Sequence, residues 1–167
     1  MQKQIKILLT IIMALALAVS CSKNETTDPT STINANLTKL QQKWEYTTSA
    51  GSGYNITADK VDSYYTDNNT EQISYSVSIE EIAWYSDNAS GMIYCKYTTA
   101  PSYNQGVANK YYAIAFKDLT SDTIDICGAY KSDGVSATDT LSEAKLEFTE
   151  ANGYFTFNEY SKCKVIK

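Results

Sequence analysis

Apolar and polar residues alternate along most of the chain between residues 44 and 164. The longest alternating run spans residues 72–86, and a period of two is typical of a β-strand with one buried face. The inward positions of its first half are predicted to be Ile73, Tyr75, Val77 and Ile79. After Glu80 and Glu81 the apolar phase shifts by one residue to Ile82 and Trp84, which predicts a β-bulge or a corner at the glutamates.

Further strands are predicted where short alternating runs are separated by turn-forming residues. These strands are residues 44–48, 54–57, 60–65, 92–98, 110–119, 123–130 and 154–164, with turns at 50–53, 67–70, 87–91 and 120–122. Tyr112, Ile114 and Phe116 are expected to share a face, as are Ile124, Ile126 and Tyr130, with Cys127 pointing the opposite way.

Two short helices complete the pattern. Residues 34–42 place Leu37 and Leu40 at helical spacing, and Thr140 and Glu143 fit a capping box in which each side chain satisfies an exposed backbone N–H. A helix from there to a stop at 152–153 precedes the last strand. The predicted fold is therefore mainly β: an antiparallel meander of about eight strands forming a small closed barrel, with one short helix before the last strand. An open sandwich is the alternative.

The N-terminal segment predicts export. Residues 1–20 combine early lysines with an apolar run too short for an ordinary membrane-spanning helix. The sequence Ala18-Val19-Ser20-Cys21 resembles the lipobox of bacterial lipoproteins, which implies cleavage before Cys21 and acyl chains on its thiol and amine. Residues 21–33 are predicted to be a flexible tether and residues 34–167 a single domain. A plain secreted protein and an uncleaved anchor are the alternatives.

Composition excludes several classes of function. Removal of residues 1–20 takes two lysines and no acid, so the net charge falls from −5 to −7, which disfavours nucleic-acid binding. The chain has no histidine and no arginine, so it lacks Ser-His-Asp and Cys-His catalysis, histidine-ligated zinc and bidentate phosphate clamps. Cys95, Cys127 and Cys163 form no C-x-x-C pattern, allow at most one disulfide, and are interpreted as buried small apolar residues. No enzyme activity, metal or cofactor is predicted.

Several stretches resemble a known family. Residues 91–98, 110–120, 128–131 and 142–145 are similar to a family of small, uncharacterised lipoproteins of host-associated spirochaetes, a resemblance that covers most of residues 44–163. It implies an exported, lipid-anchored protein at the cell envelope but no activity. The region from Leu37 to Trp44 also resembles the start of lipocalin-like barrels, in which a short helix precedes a Gly-x-Trp motif, although Gln42 stands at the glycine position and no arginine is present to pack on Trp44.

The 14 tyrosines and two tryptophans suggest a site for a sugar or another small molecule with apolar or aromatic surface, although tyrosine is also a common strand residue. The residues expected to line the barrel and bind such a ligand are Trp84, Tyr94, Tyr112 and Phe116. Glu80 and Glu81 should point to opposite faces, so they are not expected to act on one bond. We expect turns, rather than calcium sites, at 67–69 and 87–88. The predicted functions are a non-enzymatic binding domain for a small ligand or a protein partner, a structural or antigenic surface protein with a filled barrel, and, least favoured, a carboxylate-based enzyme.

Overall fold

The structure, a computed structural model, describes residues 29–156 and 160–166; the predicted signal segment, Cys21 and most of the tether lie outside these residues. Eight antiparallel strands follow one another around a closed barrel in which β8 pairs with β1. The strands are β1 Lys43–Tyr46, β2 Ser49–Ile56, β3 Lys60–Asp67, β4 Thr70–Trp84, β5 Gly91–Thr99, β6 Tyr111–Lys117, β7 Thr123–Gly128 and β8 Ser161–Val165. Helix α1 spans Pro29–Leu40 and helix α2 spans Leu141–Glu147. The predicted β-meander barrel with a short helix before the last strand is confirmed.

Strand β4 contains two bulges. Ile79 pairs with Cys95 and Glu81 with Tyr94, so the bulge predicted at the glutamates is confirmed. At the second bulge Ser63 of β3 pairs with Tyr75 and Tyr64 pairs with Ile73, so Ser74 is an extra residue in β4. Beyond it Ile73 is 48% exposed, which corrects the prediction that Ile73 continues the inward face. An extra residue in one strand reverses the alternation of the side chains that follow.

The glycines at positions 51 and 53 lie inside β2 rather than in a turn, which corrects the turn predicted at 50–53. The chain reverses between Tyr46 and Ser49, which pair with each other. Gly51 has a positive φ of 76° and its N–H donates to Glu45 Oε2 at 2.8 Å. Gly53 passes so close to β1 that an added Cβ would lie 1.9 Å from the carbonyl oxygen of Trp44. Within strands, glycine often serves a bulge or a close backbone approach of this kind.

Helix α1 closes one end of the barrel. Leu40 and Trp44 are fully buried there, and Trp44 Nε1 donates to the Leu40 carbonyl at 3.0 Å. Asn36 Nδ2 donates at 2.7 Å to the carbonyl of Asn88, in the loop between β4 and β5. The helix begins at Pro29, five residues before the predicted start, so it includes the last part of the predicted tether. We call this the closed end of the barrel.

Helix α2 packs on the outer side of β5 and β6. Its predicted capping box is present, with Thr140 Oγ1 accepting from the Glu143 N–H at 3.2 Å and Glu143 Oε2 accepting from the Thr140 N–H at 2.9 Å. The helix ends at Glu147, earlier than predicted, and β8 begins at Ser161 rather than at residue 154. Tyr154 is instead fully buried beneath the helix and its loop, since its hydroxyl reaches Glu147 and Val135. Among the described residues, no helix is long and apolar enough to span a bilayer.

Candidate functional site

A cavity of about 510 Å³ occupies the end of the barrel opposite α1. Binding sites for small molecules commonly have volumes of roughly 300–1,000 Å³. Two loops, residues 100–110 and 129–136, surround its entrance; we call them the first and second rim loops. Five tyrosines form most of its interior, and we call them the inner tyrosines: Tyr46, Tyr54, Tyr75, Tyr97 and Tyr112.

The register of the sheet brings the inner tyrosines together. Ser63 of β3 pairs with Tyr54 on one side and with Tyr75 on the other. Directly paired residues point to the same face of a sheet, so a small side chain lies between two large rings. The space that Ser63 leaves unfilled forms part of the cavity, which this serine also lines.

Edge-to-face and tilted ring contacts hold the inner tyrosines in place. The Tyr75 ring centroid lies 5.7 Å from that of Tyr97 and 6.2 Å from that of Tyr112, both at steep angles. Tyr46 and Tyr54 are nearly perpendicular at 5.8 Å. Such pairs contribute about 0.5–1.5 kcal/mol beyond the burial of their area. The lining is therefore a mutually supported cluster of rings rather than a set of independent side chains.

Burial keeps the inner tyrosines uncharged. Desolvation raises the pKa of Tyr54, Tyr75 and Tyr112 well above the usual value, and neighbouring tyrosines raise it further. Desolvation also raises the pKa of Tyr46 and of Tyr97. Their hydroxyls interact with one another, Tyr54 with both Tyr46 and Tyr75. At neutral pH the cavity therefore presents phenol groups that can both donate and accept hydrogen bonds.

The second rim loop is fastened to the helical side of the molecule by Tyr154. The Val135 N–H donates to the Tyr154 hydroxyl at 3.0 Å, and that hydroxyl donates to Glu147 Oε1 at 2.9 Å.

Two exposed aromatic side chains lie at the entrance: Tyr103 of the first rim loop is 84% exposed and Tyr130 of the second is 63% exposed. Tyr130 lies beyond the end of β7, which corrects the prediction that it shares a buried face with Ile124 and Ile126. The entrance is thus bordered by accessible rings.

The four residues predicted to line the barrel lie in three different places. Tyr112 lines the cavity. Trp84 and Phe116 contact each other near the closed end, with ring centroids 5.0 Å apart. Tyr94 instead lies on the outer face, opposite Glu81, where the Lys145 ammonium is 5.7 Å from its ring centroid. Because Ile93 and Cys95 occupy the inward positions of β5, the residue between them must point outward.

Comparisons of the chain with protein-family models, with curated proteins and with solved structures find no match. The spirochaete lipoprotein family and the lipocalin-like likeness therefore remain predictions. The cavity must be interpreted from the chemistry of its own residues.

Four inner tyrosines were not predicted as site residues: Tyr46, Tyr54, Tyr75 and Tyr97. Tyr75 was already assigned to the inward face of its strand, and Tyr97 follows the inward positions of β5. The pattern that could have identified them is the recurrence of tyrosine at inward positions near the same end of successive strands.

The cysteine thiols have structural positions in the barrel. Cys95, Cys127 and Cys163 are buried and are not joined in disulfides. Burial, followed by the nearby Asp125, raises the pKa of Cys163 to about 12, and a thiol of this kind is a poor nucleophile at neutral pH. No group of three or more potential metal-binding side chains occurs in the described part of the chain.

The neighbouring glutamates at the β4 bulge have separate partners. Glu80 Oε1 accepts from the Ser78 hydroxyl at 2.8 Å, and Glu81 Oε2 accepts from Lys145 Nζ at 2.6 Å. The residues at 67–69 and 87–88 lie in hairpin connections. Asn68 and Asn69 both have positive φ, and Asp87 Oδ1 accepts the N–H groups of Ala89 and Ser90. These acidic groups therefore make structural contacts, local ones at Glu80 and Asp87 and a contact between β4 and α2 at Glu81.

Proposed function

We propose that this chain is a lipid-anchored bacterial envelope protein whose barrel binds a small molecule in the tyrosine-lined cavity without catalysing a reaction. The observation that carries the proposal is a barrel closed at one end by α1 and Trp44 and open at the other into a cavity of about 510 Å³. A barrel serving only as a structural or antigenic surface has no requirement for this space. A binding protein requires both the space and a defined entrance.

The lining supports binding rather than chemistry. The inner tyrosines are neutral, and Lys131 in the second rim loop is the one charged side chain among the described residues that line the cavity. General acid–base catalysis needs a group that changes protonation near neutral pH, and the raised tyrosine pKa values remove these phenols from that role. Neutral donors and acceptors on rigid rings are suited to holding a ligand in one orientation.

The position of α1 supports an orientation at the membrane. Cys21 precedes Pro29 by eight residues, a stretch that spans at most about 29 Å. Acyl chains on Cys21 would therefore hold α1, and with it the closed end of the barrel, near the lipid surface. The cavity entrance would then face away from the membrane and receive ligands from the aqueous side.

The ligand is tested by native mass spectrometry of the full chain extracted from its native host. We expect an additional bound mass, and we expect Ser63→Leu to abolish it because leucine fills the space between Tyr54 and Tyr75. Ser86→Leu, at an exposed position near the closed end, is the matched control and should retain the bound mass. The mass of the acylated chain alone, with nothing further bound, in wild type and in both variants would refute small-molecule binding.

The anchor is tested separately by metabolic labelling with an alkyne-bearing fatty acid. Label should enter the wild-type chain and the Cys163→Ala control, and Cys21→Ala should remove it. Equal labelling of Cys21→Ala would overturn the assignment of the acyl chains to this cysteine.

A further inference from the structure

We infer that the ligand of the tyrosine-lined cavity is an uncharged molecule with several hydroxyl groups, as a neutral mono- or disaccharide is. This inference rests on the proposed binding function and specifies its ligand class. It follows from three properties of the site: the missing counter-charges, the surplus of hydroxyl groups, and the accessible rings at the entrance.

Charged ligands find no adequate counter-charge in the cavity. No carboxylate occurs among the described lining residues, so a cationic ligand would lose its hydration without a partner. For an anion the available charge is that of Lys131, whose Nζ lies 3.8 Å from Asp133 Oδ1 at the rim. The net charge of the chain, −5, also repels anions at longer range.

Wholly apolar ligands would leave polar groups unsatisfied. Besides the inner tyrosines, the hydroxyls of Ser63 and Ser74 and the amide of Asn104 line the cavity. An apolar molecule would displace the water that these groups can bind beyond their contacts with one another, and each buried donor or acceptor left without a partner costs about 1–3 kcal/mol. A ligand with hydroxyl groups around a ring can replace that water with direct hydrogen bonds, and such sites discriminate strongly against analogues that lack them.

The tyrosine rings also supply apolar contacts. Tyrosine combines a flat apolar body with a polar tip, so the same residue can pack against C–H groups and bond a neighbouring hydroxyl. The ring of Tyr103 at the entrance is 84% exposed, so its face is accessible to a ligand. A saccharide has both surfaces in alternation, since its hydroxyl groups surround patches of C–H. The cavity and its rim match that alternation.

The test measures binding of defined probes to the full chain in a detergent without a sugar headgroup. The probes are neutral hexoses, N-acetylhexosamines and neutral disaccharides, each compared with its uronate or amino-sugar counterpart and with cyclohexanol, a ring with a single hydroxyl. We expect at least one neutral saccharide to bind, with its charged counterparts and cyclohexanol at least about tenfold weaker by calorimetry or saturation-transfer NMR.

Variants then locate the site. Tyr97→Phe and Tyr112→Phe each delete one hydroxyl and keep the ring, so each should weaken saccharide binding about fivefold to tenfold. Tyr85→Phe, half exposed in the loop between β4 and β5 at the closed end, should leave it unchanged. Thermal melting of each variant verifies that the barrel remains folded.

The outcomes separate this inference from the function on which it rests. Tighter binding of cyclohexanol or of a charged probe than of every neutral saccharide would overturn the ligand class and retain the cavity as a binding site. Saccharide binding that is unaffected by both inner-tyrosine variants would overturn the inference by placing the sugar elsewhere. Absence of any bound probe, together with absence of a co-purifying molecule, would refute both the inference and the proposed function.

Discussion

Gly53→Ala gives the sharpest test of how closely β1 and β2 approach each other. Gly53 pairs with Glu45 of β1 and with Tyr64 of β3. A Cβ at this position would lie 1.9 Å from the carbonyl oxygen of Trp44 and 2.9 Å from its carbonyl carbon. Both atoms are backbone, so no side-chain rotation can relieve the overlap. The β1 and β2 backbones must separate by about 1 Å for the distance to reach the 3.0 Å that real Cβ atoms keep.

The expected cost is the sum of two effects. Forcing extra volume into a packed site costs about 1–3 kcal/mol. The separation also strains the hydrogen bond, 3.2 Å long, from the Tyr64 hydroxyl to the same Trp44 carbonyl, a contribution of about 1 kcal/mol. We therefore expect Gly53→Ala to lower the free energy of unfolding by about 3 kcal/mol, which corresponds to a fall in melting temperature of about 10 °C for a domain of this size.

The assay is urea and thermal unfolding followed by circular dichroism, with Gly106→Ala as the matched control. A Cβ on Gly106 meets no atom closer than Asn104 Oδ1 at 3.5 Å, so this substitution should change stability by less than about 0.5 kcal/mol. Using the same chemical change at both positions largely cancels the effect of alanine on the unfolded chain. Equal stability of the two variants would show that β1 and β2 do not approach as closely as the structure requires.

Three other predictions concern protonation, thiol access and orientation. The pKa values of the inner tyrosines in the folded chain lie above the unfolded value of about 10, so the stability they confer is complete below pH 10 and is lost as the pH rises toward the folded values. The urea midpoint should therefore be level from pH 7 to 9 and fall above pH 10, and a level midpoint up to pH 11 would contradict their burial. Ellman's reagent should leave Cys95, Cys127 and Cys163 unmodified in the native chain and react with all three in urea, whereas rapid native reaction would contradict their burial. A fluorophore on Asn88→Cys should transfer energy to a lipid-bound acceptor more efficiently than one on Asn104→Cys, and the reverse order would refute the proposed orientation.

Periodicity was sufficient to predict the strands and the bulge at the glutamates, but not the bulge at Ser74. The phase change after Ile79 can be read directly from the sequence because apolar residues occur on both sides of it. The bulge at Ser74 has no such marker. Ile73 is apolar and keeps the alternation of the sequence, yet its side chain is 48% exposed and does not continue the inward face. The glycines of β2 were assigned to a turn because local propensity favours one, whereas the close approach of Gly53 to Trp44 is a tertiary contact.

The candidate site was predictable in kind but not in position. Tyrosine enrichment indicated amphipathic lining, and Tyr112 was placed correctly on an inward face. The prediction for Tyr94 was wrong because Met92 and Ile93 are both apolar, which leaves the inward phase of the strand ambiguous. Both prove to be buried, although neighbouring residues of a strand point to opposite faces. Which end of the barrel stays open depends on the docking of α1, for example through the contact of Asn36 with Asn88, 52 residues away.

The cavity results from a difference in side-chain size and polarity along the barrel axis. At the closed end Trp44, Trp84 and Phe116 bring large apolar groups together, and α1 adds Leu40. At the open end Ser63 separates two rings, and every inner aromatic residue carries a hydroxyl. Phenylalanine at these positions would favour collapse onto neighbouring rings, whereas a hydroxyl loses hydrogen bonds when it is dried without a partner. The polar tips therefore favour a hydrated interior at the end that faces the entrance, and a ligand that replaces this water group for group is the occupant that the barrel is best suited to hold.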